Sequence, residues 1–169
     1  MSFETHEQNG LVWLTSPMLK NVSHGFSTRK GGVSKPPFDA LNLGISRGDD
    51  PGHVTENYCR FCAVLGADPQ QVVLSQQTHN TNIRKVTPQD AGKGLWHQRD
   101  YEKIDALITD APGLVLTVFS ADCGNGLFAA LLKQPDDPCI ILHGSTSFCC
   151  FVFYDGNDRK RLHIHYSIL

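Results

Sequence analysis

Short apolar runs separated by polar, glycine-bearing or proline-bearing breaks dominate the chain. The runs are LVWL (11–14), VSHGFST (22–28), VVLS (72–75), NIRKV (82–86), DALIT (105–109), LVLTVFS (114–120) and CIILH (139–143). Each has strand length and a share of β-branched residues, so each predicts a β-strand. One stretch follows a different period: Val54, Tyr58, Phe61, Cys62 and Leu65 recur at helical spacing. Asp49, Asp50 and Pro51 supply a helix start, and Gly66 supplies a stop. Strands come first and helix is interspersed without regular βαβ alternation, which predicts an α+β fold.

The segment RKGGVSKPPFDALNLG (29–44) has little periodicity and predicts a long ordered loop, a feature often tied to function. After about Phe128 the pattern loosens through KQPDDP (133–138), the cluster FCCFVFY (148–154) and the charged run DGNDRKR (155–161). The final LHIHYSIL alternates His163, His165 and Ser167 against Leu162, Ile164, Tyr166 and Ile168, which is strand spacing. Its H-x-H pair suits a metal, and a polar strand face is the plainer account. No repeat or linker divides the chain, so residues 1–169 are expected to form a single domain.

With 169 residues, 40% of them hydrophobic, the chain is long enough to bury a core without disulfides or a structural metal. The formal charge of −2 lacks the basic excess of a phosphate-backbone binder, so no nucleic acid is expected as a partner. No apolar run approaches the roughly 18 residues of a membrane span, and MSFETHEQNG has no leader pattern. The expectation is a cytoplasmic protein with no membrane partner. Six cysteines then read as reduced thiols. Cys59 and Cys62 form a CxxC, but the helical stripe takes Cys62 as a small core residue. No second CxxC completes a zinc set, because Cys149 and Cys150 are adjacent and point to opposite strand faces.

Three strand ends carry metal-ligating or nucleophilic residues: Gln77-Thr78-His79, Ser120-Ala121-Asp122-Cys123 and His143-Gly144. Two imidazoles and a thiolate suit Zn²⁺ and leave a fourth position for water or substrate. Spacing alone does not join them, and a satisfied histidine beside a buried thiol is the plainer account of spacing.

The ordered string HGFSTRKGGVSKPPFDALNLG (24–44), GDDP (48–51), ENYCRFCAVLG (56–66), QQTH (76–79), IDALITDAPG (104–113) and SADC (120–123) resembles the YfiH-like family. Members of that family carry the labels purine nucleoside phosphorylase, laccase-domain protein and polyphenol oxidase. The resemblance covers about residues 22–129, and residues 130–169 form a divergent tail. It implies a layered α/β sandwich akin to the catalytic domain of cytotoxic necrotising factors. It also implies a mononuclear zinc held by His79 of Q-T-H, Cys123 of A-D-C and a second histidine that opens an H-A-G-W-[RK] motif. The local counterpart is His143 in LHGSTSF, which lacks that motif's alanine, tryptophan and basic residue. Gly124, Asn125 and Gly126 replace an apolar, proline-containing turn, and the family's long C-terminal half is not matched. The tail therefore reads as that of a truncated chain continued by another segment.

The activities implied by the resemblance are phosphorolysis of purine nucleosides (adenosine, inosine, guanosine and methylthioadenosine) and hydrolytic deamination of adenosine. Phosphorolysis needs an anion beside the sugar. Arg29 is the loop cation suited to bind phosphate bidentately, with Ser27, Thr28 and the Gly31 and Gly32 amides as further donors; a surface ion pair is the bland alternative for Arg29. Asn42 is placed to orient substrate hydroxyls. Deamination needs an activated water, with Asp122 either shuttling protons or capping a turn. Asp105 reads as structural. Four-copper oxidation would need several H-x-H pairs where eight histidines supply one, though a single copper at the zinc site is possible. Two other classes compete: a metal-free cysteine hydrolase or amidase for a peptide or muropeptide, with Cys123 as nucleophile and His79 as base, and a catalytically impaired truncated relative.

Overall fold

The computed structural model describes residues 3–17, 19 and 22–121, together with the strand backbones 126–131, 138–143 and 147–153; side chains are described as far as Phe119. Ten strands and one α-helix are assigned: β1 (Glu4–Gln8), β2 (Leu11–Thr15), β3 (Ser23–Ser27), α1 (Pro51–Leu65), β4 (Val72–Leu74), β5 (Ile83–Lys85), β6 (Ala106–Thr109), β7 (Val115–Ala121), β8 (Gly126–Leu131), β9 (Pro138–His143) and β10 (Ser147–Phe153). They form a six-stranded sheet, β1-β2-β3-β10-β7-β4, and a four-stranded sheet, β5-β6-β9-β8. The α+β expectation holds.

Helix α1 starts where its sequence signals predict. The Asp50 carboxylate accepts from the Gly52 amide at 2.7 Å, and Pro51 opens the first turn, where its missing amide proton costs nothing. Gly66 ends the helix with φ of 70°, a left-handed conformation that closes the last carbonyls onto the Gly66 and Ala67 amides. The buried stripe is Val54, Asn57, Tyr58, Phe61 and Cys62. It packs with Leu11, Trp13, Val72, Leu74 and Val115, so α1 covers one face of the larger sheet.

The opposite face is set by strand alternation. Val73, Leu116 and Val118 are excluded from the helix-side cluster and join Val86, Leu107 and Leu114 in a second one. Side chains one residue apart on β4 and β7 thus serve two different cores, because successive strand residues point to opposite faces. The second core seats β6 of the smaller sheet against β7, giving the layers helix, large sheet, small sheet. Each fully buried leucine or valine contributes roughly 1.5–3 kcal/mol through area removed from water.

Strands β1 and β8 lie outside the apolar runs read as strands, and β9 and β10 fall within the span read as a tail. Polar Glu4–Gln8 forms β1, which pairs with β2 at the edge of the sheet among the described residues; as an edge strand it has little apolar surface to bury. His6 stacks on Trp13 with ring centroids 5.3 Å apart. From the span read as a tail, β9 lies between β6 and β8, and β10 lies between β3 and β7. These stretches hold interior sheet positions. The His163 and His165 pair lies outside the described residues.

Cys62 is fully buried in the helix-side core, and burial pushes its thiol up to about 12. Cys59 is half-buried and its thiol is also raised by burial. Thiols held protonated are poor metal ligands, in keeping with a packing role for this CxxC. No helix among the described residues is long and apolar enough to cross a membrane.

Candidate active site

Strands β4 and β7 are parallel and adjacent, so their C-terminal ends emerge together. Beyond β4, the Gln77 side chain continues the pairing. Its Oε1 accepts from the Phe119 amide at 2.7 Å, and its Nε2 donates to the Phe119 carbonyl at 2.8 Å. On the other side the Ile104 amide donates to the Gln76 carbonyl, which ties the start of β6 to the same place.

The chain then turns at residues 78–80 around one carboxylate. Asp105, 3% exposed, accepts from the amides of Thr78, His79 and Asn80, with the His79 bond at 2.8 Å and the Asn80 bond at 3.1 Å. His79 has φ of 60°, the left-handed region that costs a non-glycine residue about 1–2 kcal/mol. Three amide bonds to one buried carboxylate offset that cost. Asp105 is structural, as read from sequence, but its structure is the seat of His79. The His79 imidazole is exposed and makes no hydrogen bond or ion pair among the described residues.

His143 closes β9, with its backbone opposite Ala106 of β6 and Gly126 of β8. Ala106 follows Asp105 directly, so the topology brings the end of β9 and the His79 turn to one end of the smaller sheet. Asp122 and Cys123 lie outside the described residues, between the last residue of β7 and the first of β8. Among the described residues no three metal-ligating side chains converge. Of the zinc set expected from sequence, His79 is the member whose side chain is described; its backbone is held by Asp105 and its imidazole is exposed.

The long loop is held by its own polar groups. Arg29, with its side chain 75% exposed, donates to the Asp39 carbonyl from Nη2 at 2.6 Å and from Nε at 3.1 Å, with the Asp39 carboxylate 3.5 Å away. Its guanidinium staples the loop through the Asp39 carbonyl. Ser27 is buried at the end of β3, opposite Trp13. Gly31 and Gly32 approach the Leu11 and Ala40 backbones so closely that a side chain at either would collide. Asn42 donates to Asp49 at 2.9 Å and accepts from the Gly44 amide at 3.0 Å, shaping the segment that follows. Hydrogen bonds from the Ser34 hydroxyl and then from Asn42 hold the Asp49 carboxyl below its usual range.

That segment, residues 44–47, walls a cleft of about 300 Å³ with Leu74, Ser75, Gln77, Arg99 and Phe119. Arg99 Nη1 donates to the Ser75 carbonyl at 2.9 Å. A neighbouring cleft of about 500 Å³, bearing His97, Asp100, Tyr101 and Glu102, shares Gln76 and Arg99 with the first. Sequence reasoning missed both Arg47 and Arg99. Neither belongs to an apolar period, and the signal available in sequence was an arginine beside a recognisable motif, as in SRGDD.

A helix-covered mixed sheet stacked on a smaller sheet, with a histidine turn and a cationic cleft at the strand ends, defines a layered α+β protein of the YfiH type. Residues 23–134 match the family described as multi-copper polyphenol oxidoreductase laccase, and the chain belongs to that family. It is 43% identical over 104 residues to purine nucleoside phosphorylase SCO2081 of Streptomyces coelicolor, covering 61% of this chain and 40% of the relative. It is 39% identical over 112 residues to purine nucleoside phosphorylase YfiH of Escherichia coli, covering 66% and 42%. The crystal structure of YlmD from Geobacillus stearothermophilus superposes with a TM-score of 0.69 at 30% identity, covering 85% of this chain and 52% of that one. The chain thus spans about two fifths of the length of these curated relatives.

Proposed function

We propose that the chain carries the nucleoside-processing site of a purine nucleoside phosphorylase, acting on adenosine, inosine, guanosine or methylthioadenosine with phosphate, and deaminating adenosine as a second reaction. The observation that carries this reading is the Asp105-seated His79 turn, which follows directly from Gln76 and Gln77 in the wall of a cleft with both apolar and cationic sides. The names of the curated relatives support it.

In phosphorolysis a phosphate oxygen attacks the sugar C1′ as the purine departs, so positive charge builds on the sugar and negative charge on the base. The cleft offers apolar contact through Leu74 and Phe119, polar contact through Ser75 and Gln77, and cations for the anion. In this reading His79, Cys123 and His143 hold a zinc ion, which when bound supplies Lewis acidity and acidifies water. Asp122, beside Cys123 in sequence, serves as the proton carrier for deamination. Ser27, Arg29 and Asn42 enter as the frame of the loop that walls the cleft.

The test is to incubate the purified chain with inosine or adenosine, with and without phosphate, and to separate the products. Free base and ribose 1-phosphate are expected only with phosphate, with loss on chelation and recovery on adding zinc. Base release that ignores phosphate would overturn phosphorolysis. Hydrolysis of a peptide substrate that survives chelation would favour the thiol-nucleophile reading instead. Nucleoside binding without turnover would mark an impaired relative.

A further inference from the structure

We propose that Arg47 and Arg99, which both line the 300 Å³ cleft, form the binding site for the phosphate co-substrate; the identity of the anion rests on the phosphorolysis reading, whereas the anion site itself does not. Among the described residues, none that lines this cleft is acidic. The carboxylates nearest in sequence are engaged elsewhere. Asp49 takes hydrogen bonds from Asn42 and the Asp50 amide, with His53 at 3.8 Å, and Asp50 caps α1. Asp100 is bound through both oxygens by Lys93, at 2.9 and 3.0 Å. Among the described residues neither Arg47 nor Arg99 has an ion-pair partner. Two guanidinium groups without a carboxylate partner among the described residues, in one concave site, attract an anion, and each forked donor matches an oxyanion edge.

The local frame supports this assignment. Arg99 uses Nη1 on the Ser75 carbonyl, which fixes the guanidinium plane and leaves Nε and Nη2 protons for a ligand. Arg47 lies on the segment shaped by Asn42, and its stem crosses Gly44 so closely that a Cβ there would sit 2.8 Å from Arg47 Cγ. Absence of a side chain at position 44 therefore makes room for the Arg47 stem in the cleft wall. The neighbouring 500 Å³ cleft also contacts Arg99 but carries Asp100 and Glu102, so it is the poorer anion site. Arg29, the cation offered by the loop sequence, is held by Asp39.

The experiment titrates inorganic phosphate, at constant ionic strength, into the full chain and into Arg47→Gln, Arg99→Gln, Arg99→Lys and Arg60→Gln, by calorimetry, with inosine titrated separately. Loss of one charged fork is expected to weaken phosphate binding about tenfold or more in Arg47→Gln and Arg99→Gln, with inosine affinity changed less than about twofold. Arg99→Lys, which keeps the charge and a donor for Ser75, controls for folding and is expected to fall between wild type and Arg99→Gln. Arg60→Gln, on the outer face of α1 and outside both clefts, is expected to bind phosphate as wild type does. Unchanged phosphate affinity in both glutamine variants, or no phosphate binding by the wild type, overturns the proposal. Phosphate binding that depends on both arginines, in a chain without phosphorolysis, would keep the anion site and discard the phosphorylase reading. Phosphorolysis with an unaltered phosphate requirement in both variants would do the reverse.

Discussion

The Asp105 carboxylate accepts the backbone amide of His79 at 2.8 Å, and it does so from a position 3% exposed. A carboxylate buried at the start of β6 thus fixes the backbone at His79, 26 residues earlier in the chain. The bonds to Thr78 and Asn80 share the same two oxygens. Replacing Asp105 by Asn turns one oxygen into a donor that faces amide donors. Urea unfolding of Asp105→Asn is expected to show a loss of about 1–3 kcal/mol. Metal content per chain, read by elemental analysis, is expected to fall with it; a normal midpoint together with normal metal content would separate this carboxylate from the site.

Asn57 on α1 ties the long loop to the helix. Fully buried, it donates to the Ser34 hydroxyl at 2.9 Å and the Asn42 carbonyl at 2.8 Å, and accepts from the Val33 amide at 2.8 Å. Truncation in Asn57→Ala strands buried partners at both ends of the loop. The expected destabilisation is roughly 3 kcal/mol, with faster protease cleavage within residues 33–42. Cleavage at the wild-type rate would show that the loop is held by other contacts.

Asp90 makes stability depend on acid. Burial by itself raises its carboxyl, but hydrogen bonds from Lys93, the Thr87 amide and Arg84 prevail and hold it at about 2 against an ordinary 3.8. A depressed folded value means the stabilisation is complete above the unfolded value and fades as pH falls from about 4 to about 2. With a side chain 6% exposed, the group contributes on the order of 2 kcal/mol. Comparing urea midpoints of wild type and Asp90→Asn at pH 6, 4, 3 and 2 is expected to show a gap that closes across that window. A gap independent of pH would point to packing rather than charge.

The CxxC on α1 is expected to be dispensable for metal. With the Cys62 thiol at about 12, and both thiols raised by burial, neither forms thiolate readily near neutral pH. The double variant Cys59→Ser, Cys62→Ala is expected to keep the metal content of the wild type while losing some stability from the core. A parallel loss of metal in a variant that still folds, shown by circular dichroism, would move the metal centre to the helix.

The sequence by itself determined what depends on local period and local chemistry. The stripe from Val54 to Leu65 specified α1 with its cap and stop, because side chains three and four apart share a helix face whatever surrounds them. The alternation in VVLS and LVLTVFS specified strands able to serve two cores, and the ordered motif string specified the family. The tertiary structure decided the rest. Strand β1 was illegible because an edge strand pairs through its backbone and has little apolar surface to bury. Arg29 is engaged by Asp39, and Arg47 and Arg99 come to line one cleft, because through-space approach of separate segments sets which charges find partners. Hydrophobic patterning encodes which face is buried; the partner a polar group finds there is set only once distant strands have been brought side by side.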